Sequence, residues 1–309
     1  MNTMIEVLTD SSVGGCSSKS GAQQWDRKMA TALAGHQVQT AATLYLDLMK
    51  RALSGWLHPE MDGQLWPKRL AFRWLVKFLL PSNVRLFRCV GPEHRRSGTY
   101  WPSHAHTMIG MKRLDNLQFC IEDVIRRGVP GDLVETGVWR GGACILMRAV
   151  LQAHQIKDRK VWVADSFRGL PRPNKEKYPA DAGDHHFVIP ELAVSLDEVK
   201  CNFRLYGLLD GQVEFLEGWF KDTLPNASFK QLAVARLDGD LYESTTDALV
   251  SLYPRLSPGG YLIIDDYHAV PACRQAAHDY RRRHGLTEKI EEIDGLGVFW
   301  QKCYAAPGR

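Results

Sequence analysis

Beyond residue 107 the chain alternates between two hydrophobic periods. Helical spacing comes first: Met111, Leu114, Leu117, Ile121 and Ile125 share one face of a segment spanning residues 110–127, which stops before Gly128. A short apolar run over residues 132–136 then predicts a buried strand. The same order recurs down the chain. Helices are predicted from the glycine-rich turn at 137–142 to about residue 154, then over 191–206, 221–224, 243–256 and 271–284. Between them fall apolar runs at 161–164, 213–216, 234–237 and 261–264, each short enough to be a strand buried on both faces. Two last runs, 289–293 and 297–301, joined through Asp294 and Gly295, predict a closing hairpin. Five strand-and-helix units ending in a hairpin predict a doubly wound α/β sheet, whose ligand crevice lies beyond the carboxyl ends of its strands.

The first third of the chain lacks this order. Residues 1–42 are rich in Ser, Gly, Thr, Ala and Gln with weak periodicity and predict a poorly ordered extension. Residues 43–106 predict a helical and aromatic lid or substrate segment, ahead of a core domain at 107–304. A helix over 44–53 opens that segment, and Trp56, Trp66, Trp74, Tyr100 and Trp101 crowd into it. The apolar stretch 70–80 is broken by Arg73 and Lys77 at helical spacing, which predicts an amphipathic cover or subunit contact and not a membrane anchor. Residues 170–190 form a connection too long for a plain turn, with Pro171, Pro173 and Pro179 and an Asp184-His185-His186 run, and predict a lid or binding loop. Adjacent histidines point apart, and the sequence supplies no third soft ligand at zinc spacing.

Composition narrows the class. A length of 309 residues suits one large domain with an appendage, and a net charge of +4 from scattered basic residues predicts no nucleic-acid surface. The seven cysteines are odd in number and never in a CxxC pair, as expected of a reduced, cytoplasmic protein. The N-terminal residues include Glu6 and Asp10 without a basic region and apolar run, which reads against a secretory signal. No stretch reaches 18 apolar residues, so no membrane span is expected.

The candidate chemistry sits at the strand ends. Asp238 follows one apolar strand and Asp265-Asp266 another, so three carboxylates are expected to converge on one spot. Carboxylates without cysteine partners suit a hard ion such as Mg²⁺. Glu135-x-Gly-x-x-x-Gly141 ends the first strand in a turn whose backbone amides can approach a ligand. Asp165 ends the second strand, where a carboxylate can accept hydrogen bonds from both ribose hydroxyls of a nucleotide-like cofactor. Trp219 and Phe220 emerge at a third strand end as an aromatic wall for an adenine ring, with packing beneath the sheet as the other reading of Trp219. Asp240 is expected to cap the next helix. Asp238-Gly-Asp240 is also the DxD pattern of metal-dependent glycosyltransferases, a reading that leaves Glu135, the glycines and Asp265-Asp266 without a role.

Four segments together resemble the macrocin O-methyltransferase family: Glu135-Thr-Gly-Val-Trp-Arg-Gly-Gly, Ala164-Asp-Ser-Phe-Arg-Gly-Leu-Pro, Leu237-Asp-Gly-Asp-Leu-Tyr-Glu-Ser and Gly259-Gly-Tyr-Leu-Ile-Ile-Asp-Asp-Tyr. The likeness runs from about Leu44 to Lys302 and is weakest over 56–106. It implies a class I methyltransferase fold with an antiparallel last strand, and S-adenosylmethionine with Mg²⁺ as cofactors. The acceptor it implies is a glycosylated small molecule, methylated on a sugar hydroxyl; a catechol-like diol would suit the same metal chemistry. By the same resemblance Asp238, Asp265 and Asp266 hold the ion, and Glu135, Thr136, Gly137, Asp165, Ser166, Trp219 and Phe220 line the cofactor, with Met108 and Arg113 closing over it. Asp238 is the first choice as base and His268, near the same strand end, the second. The family likeness also implies a homo-oligomer.

Overall fold

In a computed structural model of the chain, residues 40–57, 63–65, 78–79, 87–89, 92–98, 102 and 104–303 are described. The chain divides into two units, residues 1–43 and 44–309, and only residues 40–43 of the first are among those described. The expectations for the N-terminal extension, for Trp66, Trp74, Tyr100 and Trp101, and for most of the 70–80 helix therefore fall outside the described residues.

The elements before the core are α1 (Ala41–Leu53), β1 (Gly63–Leu65), β2 (Phe87–Cys89) and α2 (Pro92–Ser97), with β1 and β2 paired antiparallel. The larger sheet is built from β3 (Asp132–Thr136), β4 (Val161–Asp165), β5 (Val213–Glu217), β6 (Leu232–Leu237), β7 (Leu256–Ile264), β8 (Glu291–Glu292) and β9 (Val298–Gln301). Their spatial order is β5-β4-β3-β6-β7-β9-β8, parallel except for β9 against β7 and β8 against β9. The order reverses between β3 and β6, the switch point at which such sheets open a crevice. Helices α3 (Met111–Arg126), α4 (Gly142–Ala153), α5 (Leu196–Leu205), α6 (Phe220–Thr223), α7 (Tyr242–Leu252) and α8 (Pro271–Arg283) connect the strands. Apolar side chains of α3, α4 and α5 pack on one face of the sheet with those of Val161 and Val163, and side chains of α7 and α8 pack on the other with Trp162 and Trp300. This is the doubly wound sheet with an antiparallel last strand that the pattern predicted.

Three boundaries differ from expectation, each for a local reason. The helix predicted over 191–206 starts at Leu196, because Ser195 caps it by accepting from the amide of Glu198, with a 3₁₀ turn at Pro190–Leu192 before it. Helix α7 ends at Leu252 instead of running to 256, since Pro254 lies in the 3₁₀ turn Tyr253–Arg255 that follows. Residues 257–260 are not a turn but a bulge inside β7: Leu256 pairs with Leu232, and Tyr261 pairs with Val234, leaving extra residues on one strand.

Candidate active site

Register explains why the acids meet. Glu135 pairs with Arg236 and Thr136 with Leu237 across β3 and β6, while Leu237 pairs with Ile264 across β6 and β7. Residues two apart on a strand share a face, so Glu135, Arg236, Asp238 and Asp265 project to the same side. The ladder continues one step past the strands: the Asp238 amide donates to the Thr136 carbonyl at 2.8 Å, and the Asp265 amide to that of Leu237 at 2.9 Å. Beside this step Gly137 has φ +81°, and a Cβ there would lie 1.6 Å from the Asp238 carbonyl oxygen, so only glycine lets the two strand ends approach.

A cavity of about 670 Å³ opens over these strand ends. At one end its wall is the β3 turn with Asp165. The carboxylate of Asp165 accepts from the amides of Val138 (2.8 Å) and Phe167 (2.7 Å), one on each oxygen. The Ser166 hydroxyl adds a further donor, to Oδ1 at 3.4 Å. Burial raises the Asp165 pKa, and these backbone donors oppose the rise. Trp139 and Phe167 take φ of 48° and 55°, a conformation rare for bulky side chains and found where a site demands it. Met108, Ser166, Trp219 and Phe220 also line the cavity. Thr136 does not; its side chain is fully buried beneath the strand ends.

The other end is acidic and held by two buried arginines. Arg236, 1% exposed, donates to Glu135, to Asp238 at 2.8 Å and to Asp265. Arg113 donates to the second Asp265 oxygen and, at 2.9 Å, to Asp294, whose other oxygen accepts from the amides of Leu296 and Gly297. Arg113, expected to close over the cofactor, holds Asp265 and Asp294 and lines the same cavity. Carboxylate oxygens of Asp238, Asp265 and Asp266 lie within 4.8 Å of one another, and Oδ2 of Asp266 is buried with no hydrogen-bond partner. Burial, then Asp240, Asp238 and Asp265, push the Asp266 pKa well up; burial and then Asp265 raise that of Asp238. For Asp265 burial also favours the neutral acid, but Arg113 and Arg236 outweigh it and hold the pKa down. A hard cation supplies what this set lacks, a partner for Asp266 Oδ2 and relief of the repulsion, so the donors fit one.

Two expected roles change. Asp240 does not cap α7: it sits at φ 54° inside a tight turn closed by the Leu241 amide on the Gly239 carbonyl (2.6 Å), and lines the cavity. Its pKa is pushed up to about 7, by burial first and then by Asp238. The α7 cap comes instead from Asp181 in the 170–190 loop, whose two oxygens accept from the amides of Tyr242 (2.6 Å) and Glu243 (3.1 Å). His268 does not reach the cavity; its ring bonds Glu292 at 2.8 Å. Arg236 and Asp181 are the residues the sequence reading passed over, although a charge inside an otherwise apolar strand was a visible signal for the first.

This arrangement places the Asp165 turn and the converging carboxylates in one cavity. The family model described as macrocin O-methyltransferase (TylF) matches residues 42–302. The chain belongs to the macrocin O-methyltransferase family. Within that family it is 53% identical over 272 residues to 8-demethyl-8-(2,3-dimethoxy-alpha-L-rhamnosyl)-tetracenomycin-C 4'-O-methyltransferase of Streptomyces olivaceus, covering 87% of this chain and 96% of that protein. It is 50% identical over 266 residues to mycinamicin III 3''-O-methyltransferase of Micromonospora griseorubida, covering 85% and 98%. The solved structure of the O-methyltransferase NovP superposes with a TM-score of 0.75 at 48% identity, over 85% of this chain and all of that one. This member of the macrocin O-methyltransferase family is therefore an O-methyltransferase, and the glycosyltransferase reading of Asp238-Gly-Asp240 is not favoured. Among the described residues no helix is long and apolar enough to cross a membrane, and Cys120, Cys144, Cys201, Cys273 and Cys303 are free thiols.

Proposed function

We propose that this chain transfers the methyl group of S-adenosylmethionine to a sugar hydroxyl of a glycosylated natural product, with Mg²⁺ held by Asp238, Asp265 and Asp266. The observation that carries this reading is the shared cavity: an amide-rich turn with Asp165 at one end and, at the other, three converging carboxylates with an unpartnered buried oxygen. The names of the relatives support a glycosylated acceptor. When bound, the sulfonium supplies an already activated methyl group, and the ion lowers the pKa of a hydroxyl it contacts. The protein's part is orientation and proton transfer. The Val138–Trp139 turn, Asp165 and Phe220 hold the donor, while Arg236 and Arg113 keep Asp265 ionised and fixed. The proton is better taken by Asp240 than by Asp238. Asp238 accepts from Arg236 and would hold the ion, whereas Asp240 lines the cavity beside it and is left for the proton. We take the enzyme to be a cytoplasmic homo-oligomer, which light scattering on the purified protein tests.

Calorimetric titration of S-adenosylmethionine, NADH and UDP-glucose, each with Mg²⁺ and then EDTA, is the direct test. S-adenosylmethionine alone is expected to bind; Mg²⁺-dependent binding of UDP-glucose would overturn the reading. Asp240→Asn is then expected to lower kcat by a hundredfold or more, on the scale of a lost general base, with S-adenosylmethionine affinity within a few fold.

A further inference from the structure

The 170–190 loop brings one imidazole into the cavity, and nothing in the reaction described so far uses it. His186 lines the cavity beside Asp240. Its Nδ1 bonds Asp184 Oδ2 at 2.7 Å, and its backbone amide donates to Asp184 Oδ1 at 2.8 Å, so both oxygens of Asp184 hold this one residue. A carboxylate only accepts, so Nδ1 carries the proton, and in the neutral ring Nε2 presents a lone pair. Nε2 has no hydrogen-bond partner among the described residues. The loop is latched close by: Asp181, 1% exposed, grips the first two amides of α7, and the Asp184 amide returns to the Asp181 carbonyl at 3.2 Å. Helix α7 follows directly on the Asp238-Gly-Asp240 turn, so the latch ties the imidazole to the acidic end of the cavity.

We propose that His186, oriented by Asp184, binds a hydroxyl of the acceptor sugar through Nε2, beside Asp240. This rests on the glycoside reading above and adds the residue that orients the sugar. An imidazole acceptor next to carboxylates suits adjacent hydroxyls, which both donate and accept. Asp184 is then a positioning residue: it touches the ring and not the sugar.

The experiment uses the full chain saturated with S-adenosylhomocysteine and Mg²⁺, and as probe 8-demethyl-8-(2,3-dimethoxy-α-L-rhamnosyl)-tetracenomycin C. In ¹⁵N spectra of the histidine side chains, the His186 Nε2 signal of the wild type is expected to move on adding the probe. By calorimetry His186→Leu is expected to bind the probe about tenfold more weakly, the scale of one lost hydrogen bond, with His186→Gln in between and S-adenosylhomocysteine affinity unchanged in both. Asp184→Asn is expected to alter the Nε2 signal before any probe is added. Wild-type affinity for the probe in His186→Leu would overturn the assignment alone. So would loss of S-adenosylhomocysteine binding in His186→Gln, which would mark the residue as part of the loop's fold. A wild-type protein that binds S-adenosylhomocysteine but not the probe would overturn the glycoside reading, and this assignment with it.

Discussion

The two ends of the cavity are built from different materials. The end proposed for the cofactor is mostly backbone: amides of the β3 turn, glycine at Gly137, bulky residues at positive φ, and one carboxylate held by two amides. The acidic end is side chain and charge, with Asp238, Asp240, Asp265 and Asp266 set against Arg113 and Arg236. The first is complete before any ligand arrives, whereas the second still holds a buried oxygen without a partner and carboxyls forced toward the neutral form. Backbone sites are fixed by the fold; charge sites are fixed by counterions and follow them.

Arg236 is where the two ends meet, since it touches Glu135 on one side and Asp238 and Asp265 on the other. Replacing it by Met breaks the comparison most severely. Removing one partner of a buried ionic network leaves uncompensated charge and typically costs about 3–5 kcal/mol. Arg236→Met is expected to lose that much stability in EDTA by chemical denaturation. Mg²⁺ is expected to restore more of it than it adds to the wild type, because the ion then becomes the main counterion left to Asp238. Equal gains from Mg²⁺ in both proteins would show that the two ends are not joined through this guanidinium.

Gly137→Ala strikes at the same junction through sterics. With φ at +81° and backbone of Asp238 in the way, β3 and β6 must part, and more than about 3 kcal/mol of stability is expected to go. Thermal unfolding measures it, and a loss under 1 kcal/mol would mean that the strand ends separate easily.

Acidity separates the ends without mutation. Glu135 and Asp240 each have a folded pKa of about 7 against ordinary values of 4.5 and 3.8, and Asp238 and Asp266 shift the same way. A carboxyl raised in the folded state binds its proton more tightly there, so its stabilising contribution is full below the unfolded pKa and lost as pH climbs through the folded one. In EDTA Glu135 and Asp240 should erode stability from about pH 4 to pH 7, and Asp238 and Asp266 should act in the same direction. Asp265, held down by its arginines, works oppositely and loses its contribution only as pH falls below about 4. A bound cation removes the reason for the upward shift at the acidic end but not at Glu135, which burial dominates. Melting temperature against pH is therefore expected to flatten, though not fully, when Mg²⁺ replaces EDTA. Identical slopes would remove the ion from the acidic end.

Legibility follows the same division. Strands and their terminal acids could be read because a strand buried on both faces is a short apolar run and its end is where polarity returns. Asp238, Asp265 and Asp266 were found this way. Arg236 was passed over by the same rule, although a charge interrupting an apolar run is itself a signal. The Ser257-Pro-Gly-Gly260 segment has turn chemistry yet lies within a strand, because a register shift between β6 and β7 absorbs it. The start of α5 was misplaced although Ser195-x-x-Glu198 is a capping pattern. Asp181 lies in a 3₁₀ turn of a loop with no hydrophobic period, and the amides it caps are 61 and 62 residues away, so no local pattern announces it; His186 could be read only as half of a histidine pair.

The smallest expected effect sharpens the comparison most. Asp181→Ala removes the α7 cap supplied by the loop, and lost caps cost about 1 kcal/mol. Because the cofactor end does not use this contact, S-adenosylmethionine affinity should stay within twofold. The acidic end does use it, through the turn that α7 continues, so the variant's affinity for Mg²⁺ should fall by a few fold. Calorimetry on the variant separates these. If S-adenosylmethionine weakened as much as Mg²⁺, the loop would be holding the whole cavity, and the division into a backbone end and a charge end would be too sharp. If neither changed while stability fell, Asp181 would be a helix cap alone. The expected split, one ligand unmoved and the other weakened, would place the loop with the charged half of the site.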